Sequence, residues 1–256
     1  MILYPNAKIN LGLNILSKRD DGFHNLISVF YPVYNYFDIL EIIPAKKFLF
    51  TSSGLNIPGK TNLCEKAYAL MSSKYNVDPI HIHLHKNIPI GSGLGGGSSD
   101  ASFVLKGINQ LFNLNIDNNI LQNISLEIGA DCPFFIQNKV KLVSGIGDVM
   151  NDIDLDLSEY EIRIINTGIH ISTKDAFSEI VCDDTNNSVL NLASLPIEKW
   201  KDSITNDFEK NLFKLYPKIK ESKKKLYDSG AIYSSMTGTG SAVYGVFEKK
   251  LKTNHS

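Results

Sequence analysis

A glycine-rich stretch carries the clearest chemical signal in this 256-residue chain. Five glycines fall between residues 91 and 97, and two serines follow them. Glycine inside a regular element costs roughly 0.5–1 kcal/mol relative to alanine, so five together need a physical reason. A loop without side chains can turn its N–H groups towards an anion, and a helix that begins after the loop adds its positive end. The stretch therefore predicts a phosphate-binding loop.

The segments on both sides of the loop support this interpretation. Apolar residues alternate with histidines over 80–85, which predicts a strand, and apolar positions recur at helical spacing from about Ser99 to Phe112. We expect Ser98 and Ser99 to cap that helix and to offer hydroxyls to a metal ion or a phosphate. Lys86 lies just before the loop and would help to neutralise a bound anion.

A dinucleotide-binding fingerprint, G-x-G-x-x-G, also matches the loop at Gly91, Gly93 and Gly96. That motif follows its first strand directly and needs an acidic residue at the end of a second strand about twenty residues later. Here residues 86–89 separate the strand from the loop, and Asp117 lies at a predicted helix start. The dinucleotide interpretation is therefore disfavoured.

A second phosphate-loop pattern, G-x-x-x-x-G-K-[ST], spans residues 54–61. Pro58 lacks the N–H group that such a loop needs just ahead of its Gly-Lys pair. Asn62 and Glu65 also have the spacing of a capping box for the next helix. This pattern therefore favours a turn before a capped helix over a nucleotide site.

Other candidate residues carry weak signals when they are read by spacing alone. Lys8 and Asn10 lie on the polar side of an alternating strand over 7–15, a pattern that favours a face in water. Asp131, between a helix end and a proline, is typical of a cap or turn residue. Spacing alone does not select these residues for chemistry.

Three histidines, His81, His83 and His85, share one face of the predicted strand because alternate strand residues point the same way. A metal site is one interpretation, but no second cluster of ligands accompanies them. The sequence favours an exposed sheet face.

A longer pattern adds the decisive resemblance. Residues 89–101, Pro-Ile-Gly-Ser-Gly-Leu-Gly-Gly-Gly-Ser-Ser-Asp-Ala, resemble the phosphate loop of the GHMP kinase superfamily. The Gly-rich segment at 237–241 resembles the last glycine loop of that superfamily. Segments over 6–13, 18–26 and 129–133 are similar to motifs of its 4-diphosphocytidyl-2-C-methyl-D-erythritol kinases. The resemblance extends from residue 5 to about residue 247.

The resemblance implies a kinase that transfers a phosphoryl group from ATP, with Mg²⁺ between the phosphates, to the C2 hydroxyl of 4-diphosphocytidyl-2-C-methyl-D-erythritol. It implies that Lys8 and Asp131 are catalytic, with Asp131 accepting the hydroxyl proton, and that Ser99 contacts the metal ion. The implied ATP-binding residues are Lys86, Pro89, Ile90, Gly91, Ser92, Gly93, Leu94, Gly95, Gly96, Gly97, Ser98 and Ser99. The implied substrate-binding residues are Asn10, Phe23, His24 and Phe177.

The cytosine of that substrate would lie between aromatic rings, with His24 bonded to its edge. Phe23 stands where the family has a tyrosine, so a ring remains for stacking while the hydroxyl is lost. By spacing alone, His24 is a turn histidine and Phe177 is an apolar helix position.

The resemblance also implies an α+β chain with the two-domain GHMP kinase fold. We expect a mixed α/β N-terminal domain over 1–155 and a ferredoxin-like C-terminal domain over 156–256. A composition shift over 151–158, where aspartates alternate with apolar residues, supports a boundary near that point.

Composition gives no support for nucleic-acid or membrane partners. A hydrophobic content of 43% and a charged content of 21% are ordinary for a globular protein, and a net charge of −1 argues against nucleic-acid or membrane partners. The three cysteines have no metal-type spacing and leave one unpaired, which suits a reducing cytoplasm. We expect a cytoplasmic protein without a signal peptide or membrane span, present as a monomer or a weak dimer.

Two other functions stay open from the sequence. The first is another GHMP-type kinase that acts on a different small alcohol, which cytidine nucleotides would not inhibit by competition. The second is a non-catalytic member of the fold, which the presence of both Lys8 and Asp131 disfavours and which ATP consumption would exclude.

Overall fold

The computed structural model describes residues 1–59, 62–186 and 188–249. Lys60 and Thr61, which complete the disfavoured nucleotide-loop pattern, lie outside the described residues. The described strands β1–β11 span Ile2–Leu3, Asn6–Lys18, His24–Phe37, Ile39–Pro44, Leu49–Gly54, Ile80–Lys86, Lys141–Ser144, Val149–Asp152, Tyr160–Ile165, Tyr233–Met236 and Val243–Glu248. The helices α1–α8 span Leu63–Tyr75, Gly96–Leu111, Asn118–Leu126, Cys132–Gln137, Thr173–Phe177, Trp200–Ser203, Glu209–Leu215 and Pro217–Asp228. Two short 3₁₀ turns lie at Ser188–Asn191 and Ile197–Lys199.

The chain divides into two compact units that are not continuous in sequence. Unit 1 contains Met1–Ile9, Phe30–Ile90 and Leu94–Lys141. Unit 2 contains Asn10–Val29, Gly91–Gly93 and Leu142–Ser256. The boundary expected at residues 155 and 156 stays a prediction about domains in the sequence.

Unit 1 is built on a four-stranded sheet in the order β1-β4-β6-β5. Strand β6 pairs antiparallel with β4 and parallel with β5. The apolar residues of β6 are buried in one core with the apolar face of α2, as the two periodicities predict. This core includes Ile80, Ile82, Leu84, Val104, Leu105 and Ile108.

The three histidines of β6 lie on the other face of that sheet and are half-buried. The hydroxyl of Thr51 bridges His81 Nε2 and His83 Nδ1, each at 2.8 Å. The hydroxyl of Ser53 likewise bridges His83 and His85 at 3.0 and 2.9 Å. In the part of the chain that the structure describes, no group of three or more His, Cys, Asp or Glu side chains could hold a metal ion. The histidines therefore fasten the edge strand β5 to β6.

A second four-stranded sheet has the order β2-β3-β7-β8, and β2 and β3 each contribute residues to both units. The pattern of β2 alone favoured a polar face in water, and that prediction is wrong for its first ten residues. Lys8 is 4% exposed and Asn10 is 2% exposed, like the apolar residues that alternate with them. Polar side chains are costly to bury without partners, so this face must be enclosed for contacts that spacing does not reveal.

Unit 2 contains an antiparallel sheet in the order β10-β11-β9. Helices α7 and α8 contribute Leu212, Ile219 and Leu226 to a core that also includes Val243 of β11. The mixture of sheets and helices in the chain confirms the predicted α+β class. No helix among the described residues is long and apolar enough to cross a membrane.

Candidate active site

The glycine loop has the backbone conformation that its composition predicts. Gly91, Gly93 and Gly95 have φ values of +66°, +80° and +70°, a region that other residues rarely occupy. A Cβ atom at Gly95 would lie 2.9 Å from the ring of Phe135 and 3.0 Å from Cγ of Lys8. Both the turn and the close packing therefore require glycine at this position.

The helix after the loop begins earlier than the spacing predicted. Helix α2 starts at Gly96 with Gly95 as its N-cap, so Ser98 and Ser99 lie in its first turn and do not cap it. Among the described residues, no side chain caps this helix. The first-turn N–H groups are orphan donors that an anion can satisfy.

The buried hydroxyl of Ser99 is a candidate contact for a bound ligand. Its side chain is 0% exposed, and its Oγ has no hydrogen-bond partner among the described residues. A buried polar atom without a partner costs free energy, so a bound group at this position would relieve that cost. A hydroxyl oxygen is a hard ligand of the kind that Mg²⁺ accepts, and Mg²⁺ sites use few protein ligands when substrate phosphates complete them.

Lys8 and Asp131, the two residues that the resemblance implies to be catalytic, lie close together in unit 1. Lys8 Nζ lies 3.5 Å from Asp131 Oδ2 and 4.2 Å from the centre of the Phe30 ring. The backbone N–H of Lys8 donates to the carbonyl of Leu94 at 2.9 Å, which fixes the lysine against the glycine loop. The ion pair is thus held beside the loop by both main chain and side chain.

Asp131 occupies the N-cap position of α4, but its carboxylate makes no cap bond among the described residues. Asp117 offers a direct contrast, since its carboxylate accepts the N–H groups of Asn119 and Ile120 at the start of α3. The carboxylate of Asp131, with 32% of the side chain exposed, is directed to Lys8 instead. Burial raises the pKa of the neighbouring Cys132 thiol to about 11, so this thiol is not an activated thiolate at neutral pH.

Lys86 has a different environment from the one expected of a residue that contacts ATP. The side chain is 2% exposed, and Nζ donates to carboxylates of Asp38 and, at 2.7 Å, of Asp100. Asp38 also accepts the N–H groups of Asn87 and Ile88 at 2.6 and 2.8 Å. A Cβ atom at Gly96 would lie 2.9 Å from Nζ of Lys86, so this buried cluster directly supports the loop.

Asn10 is also engaged with protein groups in unit 2. Its Nδ2 donates to Ser28 Oγ at 2.9 Å, while its backbone N–H donates to Thr237 Oγ1 at 3.0 Å. The structure thus places this predicted substrate-binding residue in a buried network with the last glycine loop.

The residues predicted to hold the cytosine are partly brought together in unit 2. The rings of His24 and Phe177 are stacked, with centres 4.7 Å apart and planes 28° apart, and Phe208 lies edge-on to Phe177. Phe23 is 58% exposed. Burial, and then the charge of Lys18, lowers the pKa of His24 below its usual value, so the ring that stacks on Phe177 is a neutral imidazole at pH 7.

Sequence reasoning missed a cavity of about 520 Å³ in unit 1. Asn62 and Glu65 form the predicted capping box of α1, and the same residues also line this cavity. A Cβ atom at Gly97 would lie 3.6 Å from Leu63, another lining residue, so the cavity adjoins the glycine loop. The stacked rings of Phe48 and Tyr68 form part of its wall. Local spacing identified the cap but carried no signal for the cavity.

Comparisons with known proteins find two family models in this chain. The family models described as GHMP kinases N terminal domain and GHMP kinases C terminal match residues 62–139 and 191–253. A 4-diphosphocytidyl-2-C-methyl-D-erythritol kinase of Azobacteroides pseudotrichonymphae is 48% identical over 252 residues, which cover 97% of this chain and 94% of the relative. The chain belongs to this GHMP kinase family. The predicted two-domain GHMP kinase fold is thereby confirmed.

Solved structures show the same fold. A crystal structure of 4-(cytidine 5'-diphospho)-2C-methyl-D-erythritol kinase matches with a TM-score of 0.80 and 28% identity, covering 96% of this chain and 90% of that one. A homoserine kinase from Cytophaga hutchinsonii matches with a TM-score of 0.66 and 18% identity, covering 96% and 85%, and shows the fold alone. This GHMP kinase is a small-molecule kinase that uses ATP.

Proposed function

We propose that this GHMP kinase transfers the terminal phosphoryl group of ATP to the C2 hydroxyl of 4-diphosphocytidyl-2-C-methyl-D-erythritol, a step in non-mevalonate isoprenoid precursor biosynthesis. The observation that carries the proposal is the Lys8–Asp131 pair, 3.5 Å apart and bonded through the backbone of Lys8 to the glycine loop. The relatives that carry the name of this kinase span nearly the whole chain.

The donor would be held by residues of the glycine loop and α2. Phosphoryl transfer depends mainly on positioning and on neutralising charge around a loose transition state. Orphan N–H groups at the start of α2 supply both, because they are fixed donors at the positive end of a helix. The cavity beside Leu63 combines aromatic and apolar walls with the polar side chains of Asn62, Glu65 and Lys66, and we propose it for the adenine.

Lys8 and Asp131 would act on the acceptor hydroxyl. Asp131 would orient the hydroxyl and accept its proton, since its carboxylate is partly exposed and is not engaged in capping α4. Lys8 would hold that carboxylate in place and offset negative charge on the transferred group.

Magnesium fits the donor set through Ser99. The orphan hydroxyl of this residue would contact Mg²⁺, and substrate phosphates would supply further ligands. Mg²⁺ would supply positive charge there and neutralise part of the negative charge of the phosphates. We assign Lys86 a supporting position beneath the loop, because its ammonium group is engaged by Asp38 and Asp100.

The cytosine would be recognised by residues of unit 2. The stacked pair of His24 and Phe177 presents flat surfaces and a neutral ring nitrogen pair for a pyrimidine. In this structure the His24 ring lies on the Phe177 ring. A cytosine would therefore have to displace His24 from Phe177 or stack on the outer face of His24. Phe23, which is exposed, would supply a further ring.

ATP turnover with three alcohols tests the proposal. We expect the kcat/KM for 4-diphosphocytidyl-2-C-methyl-D-erythritol to be at least about 10³ times that for homoserine or mevalonate. Neither of these alcohols carries a cytosine, so polar groups that bind the base would be left without hydrogen-bond partners. Preference for homoserine or mevalonate would identify another GHMP kinase. No ATP consumption with any alcohol would favour a non-catalytic member of the fold.

A further inference from the structure

Three consecutive carbonyl groups of the glycine loop accept hydrogen bonds from residues outside the loop. The carbonyl of Ser92 accepts from the N–H of Ala242 at 3.1 Å, and that of Gly93 accepts from the hydroxyl of Thr237 at 3.0 Å. The carbonyl of Leu94 accepts from the N–H of Lys8 at 2.9 Å. Among these three bonds, the one at Gly93 alone comes from a side chain and can be removed by substitution.

The orientation of a carbonyl fixes the orientation of the next N–H group. In a planar trans peptide the C=O of one residue and the N–H of the following residue point in opposite directions. The bond from Thr237 to the Gly93 carbonyl therefore directs the N–H of Leu94 away from Thr237. The same geometry directs the N–H groups of Gly93 and Gly95, through the carbonyls of Ser92 and Leu94.

Thr237 is itself fixed by buried partners. Its side chain is 0% exposed, its Oγ1 accepts the backbone N–H of Asn10, and the Asn10 side-chain oxygen lies 3.2 Å from Oγ1. The Asn10 amide in turn donates to Ser28, whose hydroxyl donates to the carbonyl of Gly12 at 2.6 Å. The hydroxyl has one proton to donate, and the Gly93 carbonyl at 3.0 Å is a nearer acceptor than the Asn10 side-chain oxygen at 3.2 Å. Neither buried partner can be replaced by water without cost.

Close packing leaves little freedom at this contact. A Cβ atom at Gly93 would lie 2.1 Å from the carbonyl oxygen of Thr237, and one at Gly238 would lie 3.3 Å from Cα of Gly93. The two glycine-rich segments of unit 2 thus lie backbone against backbone, with the Thr237 hydroxyl as the side-chain bond between them.

We propose that Thr237 is a positioning residue for the phosphate loop, and that its hydroxyl sets the direction of the Leu94 N–H group within the loop that binds the ATP phosphates. Asn10 supports Thr237 in this role. The inference rests on the proposed use of the loop as the site of the ATP phosphates.

Two matched substitutions test the role of the hydroxyl. Thr237→Val keeps the shape of the side chain and removes the hydroxyl, whereas Thr237→Ser keeps the hydroxyl and removes a methyl group. Calorimetric titration should show ATP binding weakened about tenfold or more in Thr237→Val, the scale of one hydrogen bond lost with its partner left buried. Thr237→Ser should bind ATP within about threefold of the unmodified protein, since the hydrogen bond is retained.

Adenosine provides the readout that a general loss of structure would not reproduce. It lacks phosphates, so its affinity should change less than about twofold in Thr237→Val if the hydroxyl acts through the phosphate loop. Steady-state rates should show a raised KM for ATP with little change in KM for the alcohol. If Thr237→Val does not fold, Thr237→Cys keeps the volume with a much weaker donor and serves in the same titrations.

The outcomes separate this inference from the proposed function. Equal weakening of ATP and adenosine, or ATP binding in Thr237→Val as tight as in the unmodified protein, would overturn the positioning role. Failure of the unmodified protein to bind ATP would instead overturn the proposed function.

Discussion

Asp131 and Asp117 show how two residues of one type at one kind of position differ in their partners. Both stand at helix N-caps, but Asp117 caps its helix and Asp131 pairs with Lys8. Spacing alone made Asp131 a cap or turn residue, because local sequence cannot report a lysine 123 positions away in the chain. Only the family resemblance selected it, and the pairing in unit 1 supports that choice.

Asp131→Asn should lower turnover by roughly 10²–10⁴ while ATP binding is retained, because an amide cannot accept the hydroxyl proton. Single-turnover rates and ATP titration on the same preparation measure the two effects separately. Asp117→Asn is the matched control, since asparagine is an equally good N-cap and the residue lies outside the proposed site. Near-normal turnover in Asp131→Asn would remove this residue from the mechanism.

The proposed binding of cytosine by the aromatic residues of unit 2 can be tested by substitution. Phe177→Ala should weaken binding of the cytidyl substrate by about 1–3 kcal/mol, the scale of a lost base stack. His24→Ala should have a comparable cost because base groups would lose a hydrogen-bond partner. Both losses should be seen in KM for the cytidyl substrate.

Phe23→Tyr serves as the control for these two substitutions, because it keeps the exposed ring and adds only a hydroxyl. It should bind the substrate about as well as the unmodified protein. A rise in KM for ATP equal to that for the cytidyl substrate would mean that His24 and Phe177 support the fold and not cytosine recognition.

Elements whose patterns are local were predicted well, and their ends were not. Strand β6 and the apolar face of α2 follow from periodicity, and the capping box of α1 follows from spacing. The start of α2 was placed three residues late, because glycine propensity argues against helix at Gly96 and Gly97. Packing against Lys86, Ile88 and Leu63 overrides that preference.

The enclosed face of β2 is a second feature that periodicity could not give. Alternation separates two faces of a strand but does not say whether the second one is covered. Lys8 and Asn10 are polar, so the pattern placed them in water, whereas both are buried among partners distant in sequence. Such partners become visible only when the chain is folded.

The buried cluster of Lys86, Asp38 and Asp100 leads to a prediction about the pH dependence of stability. Burial raises the pKa of Asp100 well above its usual value, although the charge of Lys86 opposes this effect. A carboxyl group with a raised pKa keeps its proton in the folded protein at pH values where the unfolded chain has released it. The contribution of Asp100 to stability should therefore be fully present below its usual pKa of about 4 and should be lost as pH rises through the raised pKa of the folded protein.

Asp100→Asn removes that titration and should flatten the fall. The free energy of unfolding of each protein can be measured with urea at pH 5.5, 7.0 and 8.5. The value for the variant minus the value for the unmodified protein should rise with pH by up to about 1.4 kcal/mol per pH unit. Asp117→Asn makes the same chemical change at the surface and should follow the unmodified curve. Parallel curves for Asp100→Asn would mean that Asp100 is ionised throughout this range.

At the scale of the molecule, the sequence predicted the α+β class but not the path of the chain between compact units. Strands β2 and β3 each supply residues to both units, and residues 91–93 of the glycine loop belong to unit 2 while 94–97 belong to unit 1. A composition shift marks one point along the chain, so it cannot describe units that share strands. Long-range pairing sets this arrangement, and a single sequence read by periodicity does not report it.

The assignment of donor and acceptor residues to different segments predicts how an incomplete substrate should inhibit. CDP carries the cytidine and diphosphate of the proposed acceptor but lacks its C2 hydroxyl, so it can occupy the cytosine residues without reacting. We expect CDP to raise KM for 4-diphosphocytidyl-2-C-methyl-D-erythritol competitively and to leave KM for ATP within about twofold, because ATP would be held by residues 86–99 and the cavity beside Leu63. Initial rates measured against each substrate in turn, with the other saturating, give both constants.

In Phe177→Ala the competition by CDP should weaken in proportion to the loss of substrate affinity, whereas inhibition by ADP should not. If CDP competed with ATP at saturating acceptor, the cytosine would bind in the donor site, and His24 and Phe177 would lose their proposed role.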